Sequence, residues 1–256
     1  MTEQRPVPGT SRQAVAQPRN AQSDAASSRT RLSRRYGLSF LGEDGTLQET
    51  TLVAPALPAF EAAVSAFARG TIFRTVQGET AIEDLWPGDE IITEDGPRQL
   101  LWRGTTRMTA DAPGQRPQMG RLVRVLPDDP DAAQHHTVLG PAARIFVRRA
   151  AAHRSDTAQG VLVPVTDLLD GVNIVEVAPP GPVEVFHLAF ADHVLLRASG
   201  VVSESYHPGP LSKLDLGHDL RRQWLSMFPH LSDPAGFGPL RLPRLALAEL
   251  NFGSVA

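Results

Sequence analysis

Apolar residues along this 256-residue chain fall into short runs, not long helical stripes. Between residues 71 and 202 such runs recur at 71–76, 91–93, 100–102, 122–126, 144–148, 161–165, 172–177, 183–190 and 194–196. Turn signals such as Pro87-Gly88, Asp95-Gly96, Pro113-Gly114, Asp170-Gly171 and Pro180-Gly181 separate many of them. This spacing predicts an all-β domain of many short strands. Residues 80–85 and 165–169 interrupt it and read as single helical turns. Upstream, residues 36–41 and 47–53 flank Asp44-Gly45 and predict a hairpin closed by a two-residue turn. Residues 54–58 form a proline-broken linker. Residues 60–67 read as a short helix or extended lead-in that Gly70 ends. Beyond Pro210, Leu216, Leu220, Trp224, Leu225 and Phe228 form a helical stripe within residues 215–228. Such a stripe covers a core. Pro229, Pro234 and Pro239 follow it, and residues 245–250 allow one last helical turn.

Composition narrows the chemistry. There is no cysteine, which removes disulfides, zinc thiolates, iron–sulfur clusters and every thiol nucleophile. The net charge of −3 hides an asymmetry: residues 1–35 hold seven arginines against Glu3 and Asp24. These arginines are dispersed among Gln, Ser, Ala and Pro, with no aromatic residue before Tyr36. The segment therefore reads as a disordered, solvated basic tail, which argues against nucleic acid as a partner; the alternative expectation is a binder of anionic surfaces or nucleic acid through this tail. Ser33-Arg34-Arg35-Tyr36 has the outline of a twin-arginine export signal, but only residues 37–41 are apolar before Glu43 and Asp44, too few to complete one. No run approaches the roughly 18 residues of a membrane span. The expected setting is the cytoplasm, or export without a classical signal.

Other constellations carry little. His135-His136 on a strand would point to opposite faces, which argues against a metal site. Asp128-Asp129-Pro130-Asp131 lacks the alternating donors and glycine of a calcium loop. Ser203-Glu204-Ser205 sits in no nucleophile elbow, and no phosphate-cradling glycine loop is present. No cofactor or metal is expected.

One stretch is more specific. Residues 66–72 read Ala-Phe-Ala-Arg-Gly-Thr-Ile, and Gly78-Glu79-Thr80 leads into Ile82-Glu83-Asp84-Leu85-Trp86-Pro87-Gly88-Asp89. Trp102-Arg103-Gly104, Val163-Pro164, Leu168-Leu169-Asp170-Gly171, Phe186-His187-Leu188, Asp192-His193 and Glu204-Ser205-Tyr206-His207-Pro208-Gly209 follow in order. Together they resemble the hedgehog/intein autoprocessing module, the Hint domain, and within it a bacterial group that opens with Cys-Phe-x-x-Gly-Thr. The resemblance implies an all-β Hint fold with two pseudo-symmetric halves over residues 62–210, and protein self-cleavage or splicing as the family activity. It leaves 1–35 as tail, 36–61 as hairpin and linker, and 211–256 as a C-terminal helical cap.

In that family a Cys or Ser attacks the preceding peptide carbonyl while a His in a Ser/Thr-Pro-x-His block protonates the scissile amide. The matching positions here are Ala66 for the nucleophile, and Gly140 and Ala143 for the hydroxyl and the imidazole. Both halves of the machinery are missing, and no His-Asn pair closes the chain for splicing. The expectation is a degenerate, monomeric Hint domain that serves as a structural or interaction module for a protein partner the sequence does not name. Residual self-cleavage would fall to Ser65, attacking the Val64 carbonyl, with His193 as the remaining acid/base group. The competing expectation for His193 is a histidine satisfied by a backbone carbonyl. His187 falls on the same face as His193 only if one strand carries both, and reads as structural.

Overall fold

The structure, a computed structural model, describes residues 32–126, 137–148 and 160–250. The basic tail through Arg31, the acidic loop 128–131 and the pair His135-His136 lie outside these residues. Upstream come β1 (Ser33–Leu41), β2 (Leu47–Pro55) and helix α1 (Pro58–Ala62). Then follow β3 (Phe67–Ala68), β4 (Ile72–Thr75), β5 (Gly78–Ala81), β6 (Glu90–Thr93), β7 (Gly96–Gln99), β8 (Trp102–Met108) and β9 (Leu122–Val125). The second part holds β10 (Thr137–Leu139), β11 (Arg144–Arg148), β12 (Gly160–Pro164), β13 (Ile174–Val177), β14 (Val183–Ala189), β15 (Leu195–Ala198) and β16 (Val201–Glu204), then helix α2 (His218–Leu225). Single 3₁₀ turns occupy Ile82–Asp84 and Val165–Leu168, where the pattern breaks its β texture.

These strands make two antiparallel sheets. One runs β13, β9, β10, β3, β14, β8, β1, β2. The other runs β12, β11, β16, β15, β4, β6, β7, with β5 on β4. Phe67, Phe73, Leu85, Ile91, Leu139, Phe186 and Leu196 form the main core, because alternate strand positions face one side. Arg103 is only 7% exposed within β8. Its guanidinium donates to the carbonyls of Glu83 at 2.8 Å and Leu85 at 2.6 Å and stacks on Trp86 at 4.3 Å, which explains a charge at an inward position.

The upstream hairpin differs from expectation in two ways. It begins at Ser33, inside the segment read as tail, so Arg34 and Arg35 are strand residues. Its register pairs Leu41 with Leu47, leaving residues 42–46 as a five-residue connection in place of a two-residue turn. Gly45 takes φ 76° there, and the Asp44 carboxylate accepts from the Thr46 N–H at 3.0 Å and its hydroxyl at 2.7 Å.

β1 continues the sheet by pairing with β8, Tyr36 opposite Thr106 through Phe40 opposite Trp102. Tyr36, Leu38 and Phe40 thereby enter a second core with Phe60, Val64, Trp102, Tyr206, Trp224, Met227, Phe228 and Phe237. Indole N–H groups fasten its layers: Trp102 donates to the Met227 carbonyl at 2.7 Å and Trp224 to the Ala59 carbonyl at 3.1 Å. The C-terminal cap thus closes over the segment that precedes residue 66. Among the described residues no helix is long and apolar enough to cross a membrane.

Candidate functional site

α1 ends at Ala62, and the chain enters β3 through Ser65 and Ala66. The loop between β10 and β11, Gly140 to Ala143, lies directly against this entry. The Ser65 carbonyl accepts the Ala142 N–H at 3.0 Å, and the Ala66 carbonyl accepts the Gly140 N–H at 2.8 Å. The Ala66 N–H donates to the Phe186 carbonyl at 2.9 Å. The Ser65–Ala66 peptide is therefore pinned at both its oxygen and its nitrogen. An N–H aimed at a carbonyl oxygen is the arrangement that stabilises developing negative charge in acyl transfer. The structure brings together Ser65, Ala66, Gly140 and Ala143.

Among the described residues, the side chains at positions 66 and 143 offer that peptide no nucleophile or imidazole. Ala66 and Ala143 are 0% and 1% exposed and contribute methyl groups to the main core. A Cβ placed on Gly140 would lie 2.1 Å from the Ser65 carbonyl oxygen, so the backbone leaves no room for a side chain at this position. Ser65 is 1% exposed and donates its hydroxyl to the Glu61 carbonyl at 2.7 Å, finishing the turn after α1.

His193 belongs to a different cluster. β14 ends at Ala189, so His187 and His193 do not share a strand. The Nδ1 of His193 accepts the Arg241 N–H at 3.1 Å, which puts the proton on Nε2, where it is donated to Glu204 at 3.0 Å. Its partners are a carboxylate and a backbone N–H, in place of the backbone carbonyl expected. Glu204 is 1% exposed and also receives Arg144 at 3.2 Å and Arg244 at 3.0 Å. Burial opposes its charge most strongly, but the His193 hydrogen bond and the Arg244 and Arg144 guanidinium groups outweigh it and hold the carboxyl down at about 2.

His187 donates from Nδ1 to the Ala62 carbonyl at 3.2 Å, while its Nε2 is buried with no hydrogen-bond partner among the described residues. Burial pushes it down to about 4, and burial does the same to His230. All three groups act in one direction. The two histidines bind protons more readily when unfolded, so their stabilisation is lost as pH falls from 6.5 toward 4; Glu204 adds to the loss from about 4.5 toward 2. Urea midpoints should fall steadily below pH 6.5 and stay flat from 7 to 8. A midpoint unchanged between pH 7 and 5 would contradict the neutral burial of His187 and His230.

Residues 65–210, more than half of the chain, match the sequence model of the Hint domain. The chain belongs to the Hint domain family. No match was found among curated protein sequences. Among solved structures, the chain is similar to a bacterial intein-like domain from Clostridium thermocellum, at 16% identity and a TM-score of 0.39, over 56% of this chain and 99% of that one. The MchDnaB-1 intein is similar at 19% identity and a TM-score of 0.32, over 55% and 100%. The gp41-1 intein is similar at 10% identity and a TM-score of 0.34, over 56% and 98%. The assignment rests on the family match, and the strand-rich, two-sheet architecture agrees with it.

The Hint match covers every residue of the pinned peptide and its neighbouring loop. Sequence reasoning singled out Ser65, Ala66, Gly140 and Ala143, which the structure brings into contact, but missed the buried acidic residues Glu61 and Glu204. Glu204 was visible only as part of a family block, and Glu61 carried no local signal.

Proposed function

We propose that this Hint domain does not process itself and instead serves as a rigid structural module that carries its upstream segment as part of its own fold. The observation that supports this reading is the tightly packed junction: Ala66 and Ala143, at the positions the resemblance gives to nucleophile and imidazole, are buried, and Gly140 has no room for a side chain. An N–O or N–S acyl shift needs an atom with a lone pair next to the Ser65 carbonyl, and a methyl group supplies none.

The upstream residues support the same reading. A segment destined to be cut away gains nothing from deep packing, yet Tyr36, Phe60 and Val64 are 0% exposed and share a core with Trp102 and Trp224. The Ser65 hydroxyl is committed to the Glu61 carbonyl, and His193 is bonded to Glu204 and Arg241, so neither has a hydrogen bond directed at the other.

Purified protein incubated for days with and without hydroxylamine or thiol should give a single intact mass for the full chain. A fragment starting at Ser65 or Ala66 would overturn the reading. Should such a fragment form, Ser65→Ala and His193→Ala variants identify whether those two residues produce it.

A further inference from the structure

The segment from Pro239 to Leu250 lies beyond the family match, yet it is bonded to residues inside that match. Its Arg244 forms a parallel bridge with Leu162 of β12, an edge strand of the second sheet. The Leu162 N–H donates to the Pro243 carbonyl at 2.9 Å, and the Leu245 N–H donates to the Leu162 carbonyl at 3.1 Å. Addition of an extended segment to a sheet edge is a general mode of peptide recognition.

Side chains then read the segment. Arg241 pairs with Asp95, and its own N–H donates to His193. Arg244 donates to Glu204 at 3.0 Å and to the His207 carbonyl at 2.8 Å, and the Leu247 N–H donates to Asp167 at 3.2 Å. Three acidic residues of the domain each receive a donor from this one segment. Between a bend at residues 241–242 and the 3₁₀ turn Leu247–Glu249, the chain is extended around Arg244, where Pro243 fixes the preceding φ.

What the segment lacks is equally informative. Phe237 is the last residue to enter a hydrophobic core, and none of Leu240, Leu242, Leu245, Leu247 or Leu250 joins one. Those leucines are only half-buried. An integral strand is held by apolar burial, whereas this segment is held by one isolated bridge to the edge strand and by charge-assisted bonds, as a bound peptide is.

We propose that the surface formed by Asp95, Leu162, His193 and Glu204 is a recognition site for an extended peptide with two arginines three residues apart, and that residues 239–250 fill it in cis. Glu204 selects the second arginine from within a buried setting, and Asp95 selects the first at the surface. The site stands whether or not the chain cleaves itself.

The test keeps the full chain and inserts a protease site between Gly238 and Pro239. After cutting, a fluorescent synthetic peptide of residues 239–250 should replace the cut segment, read by anisotropy, and leave the circular-dichroism spectrum unchanged. A peptide carrying Arg244→Ala should bind at least tenfold more weakly, and one carrying Arg241→Ala should bind more weakly with a smaller dependence on salt. Three results would overturn the proposal: loss of the β signal on cutting, failure of the labelled peptide to exchange, or equal binding of the Arg244→Ala peptide.

Discussion

Glu61→Ala lowers folding stability by about 3–5 kcal/mol, the range for breaking a buried ion pair from one side. It reads out as a lower urea midpoint with unchanged slope, and as a fall in Tm on the order of 10 °C for a domain of this size. Glu61 is 0% exposed and receives Arg34 at 2.8 Å and Arg116 at 2.7 Å. Arg34 leaves β1 with its side chain only 9% exposed and keeps the Arg107 carbonyl and Gln115 as neutral partners, so removing the carboxylate leaves a largely buried charge without a counter-charge. The side chain of Arg116 is 41% exposed and rehydrates when its partner is lost. Arg116→Ala should therefore cost less than half as much as Glu61→Ala. Equal losses would show that the buried carboxylate is not what joins the hairpin, α1 and the loop before β9.

Gly140→Ser destabilises by roughly 1–3 kcal/mol or more, the range for overpacking a filled site. The new Cβ meets the Ser65 carbonyl oxygen at 2.1 Å and its carbon at 2.8 Å. Neither can retreat freely, since that oxygen is held by Ala142 and the next N–H by Phe186. Gly181→Ser is the matched control, because a Cβ there meets nothing within 4 Å. Thermal unfolding of the two variants separates the effects, and equal Tm values would refute the tightly packed junction. The same clash bears on any attempt to rebuild the reaction. A chain with Ala66→Cys, Gly140→Ser and Ala143→His regains the family residues but must push the backbone apart to seat them, so it should be less stable than the chain with Ala66→Cys and Ala143→His alone.

The sequence disclosed strands wherever burial alternates without interference, and β11 falls on residues 144–148 as the pattern proposes. β8 was read as residues 100–102 but runs from Trp102 to Met108, because buried Arg103 and Thr106 disguise its alternation. β3 has two residues and β7 opens on Gly96-Pro97 with an exposed face, so neither holds a local signal; neighbouring strands place them. The vacant junction was legible because it is a local motif with one residue type replaced by another. The ionic clusters were not, since Glu61 meets arginines 27 and 55 positions away and Glu204 meets arginines 60 and 40 away. Periodicity is silent at those separations. His193 illustrates the middle ground: its place was flagged, but the identity of its partners depends on a segment that returns from beyond residue 238.

The pairing of β1 with β8 has a consequence for what scission at Ser65–Ala66 would mean. The hairpin's ladder crosses that bond, and Trp224 clasps α1 from the far side. A nicked molecule would remain one particle, its two polypeptides complementing each other as a folded pair. Bond rupture and departure of the upstream piece are thus separate events, and the second requires peeling the β1–β2 hairpin, the last two strands of the sheet, off β8. Native electrophoresis would show a single band in either covalent state.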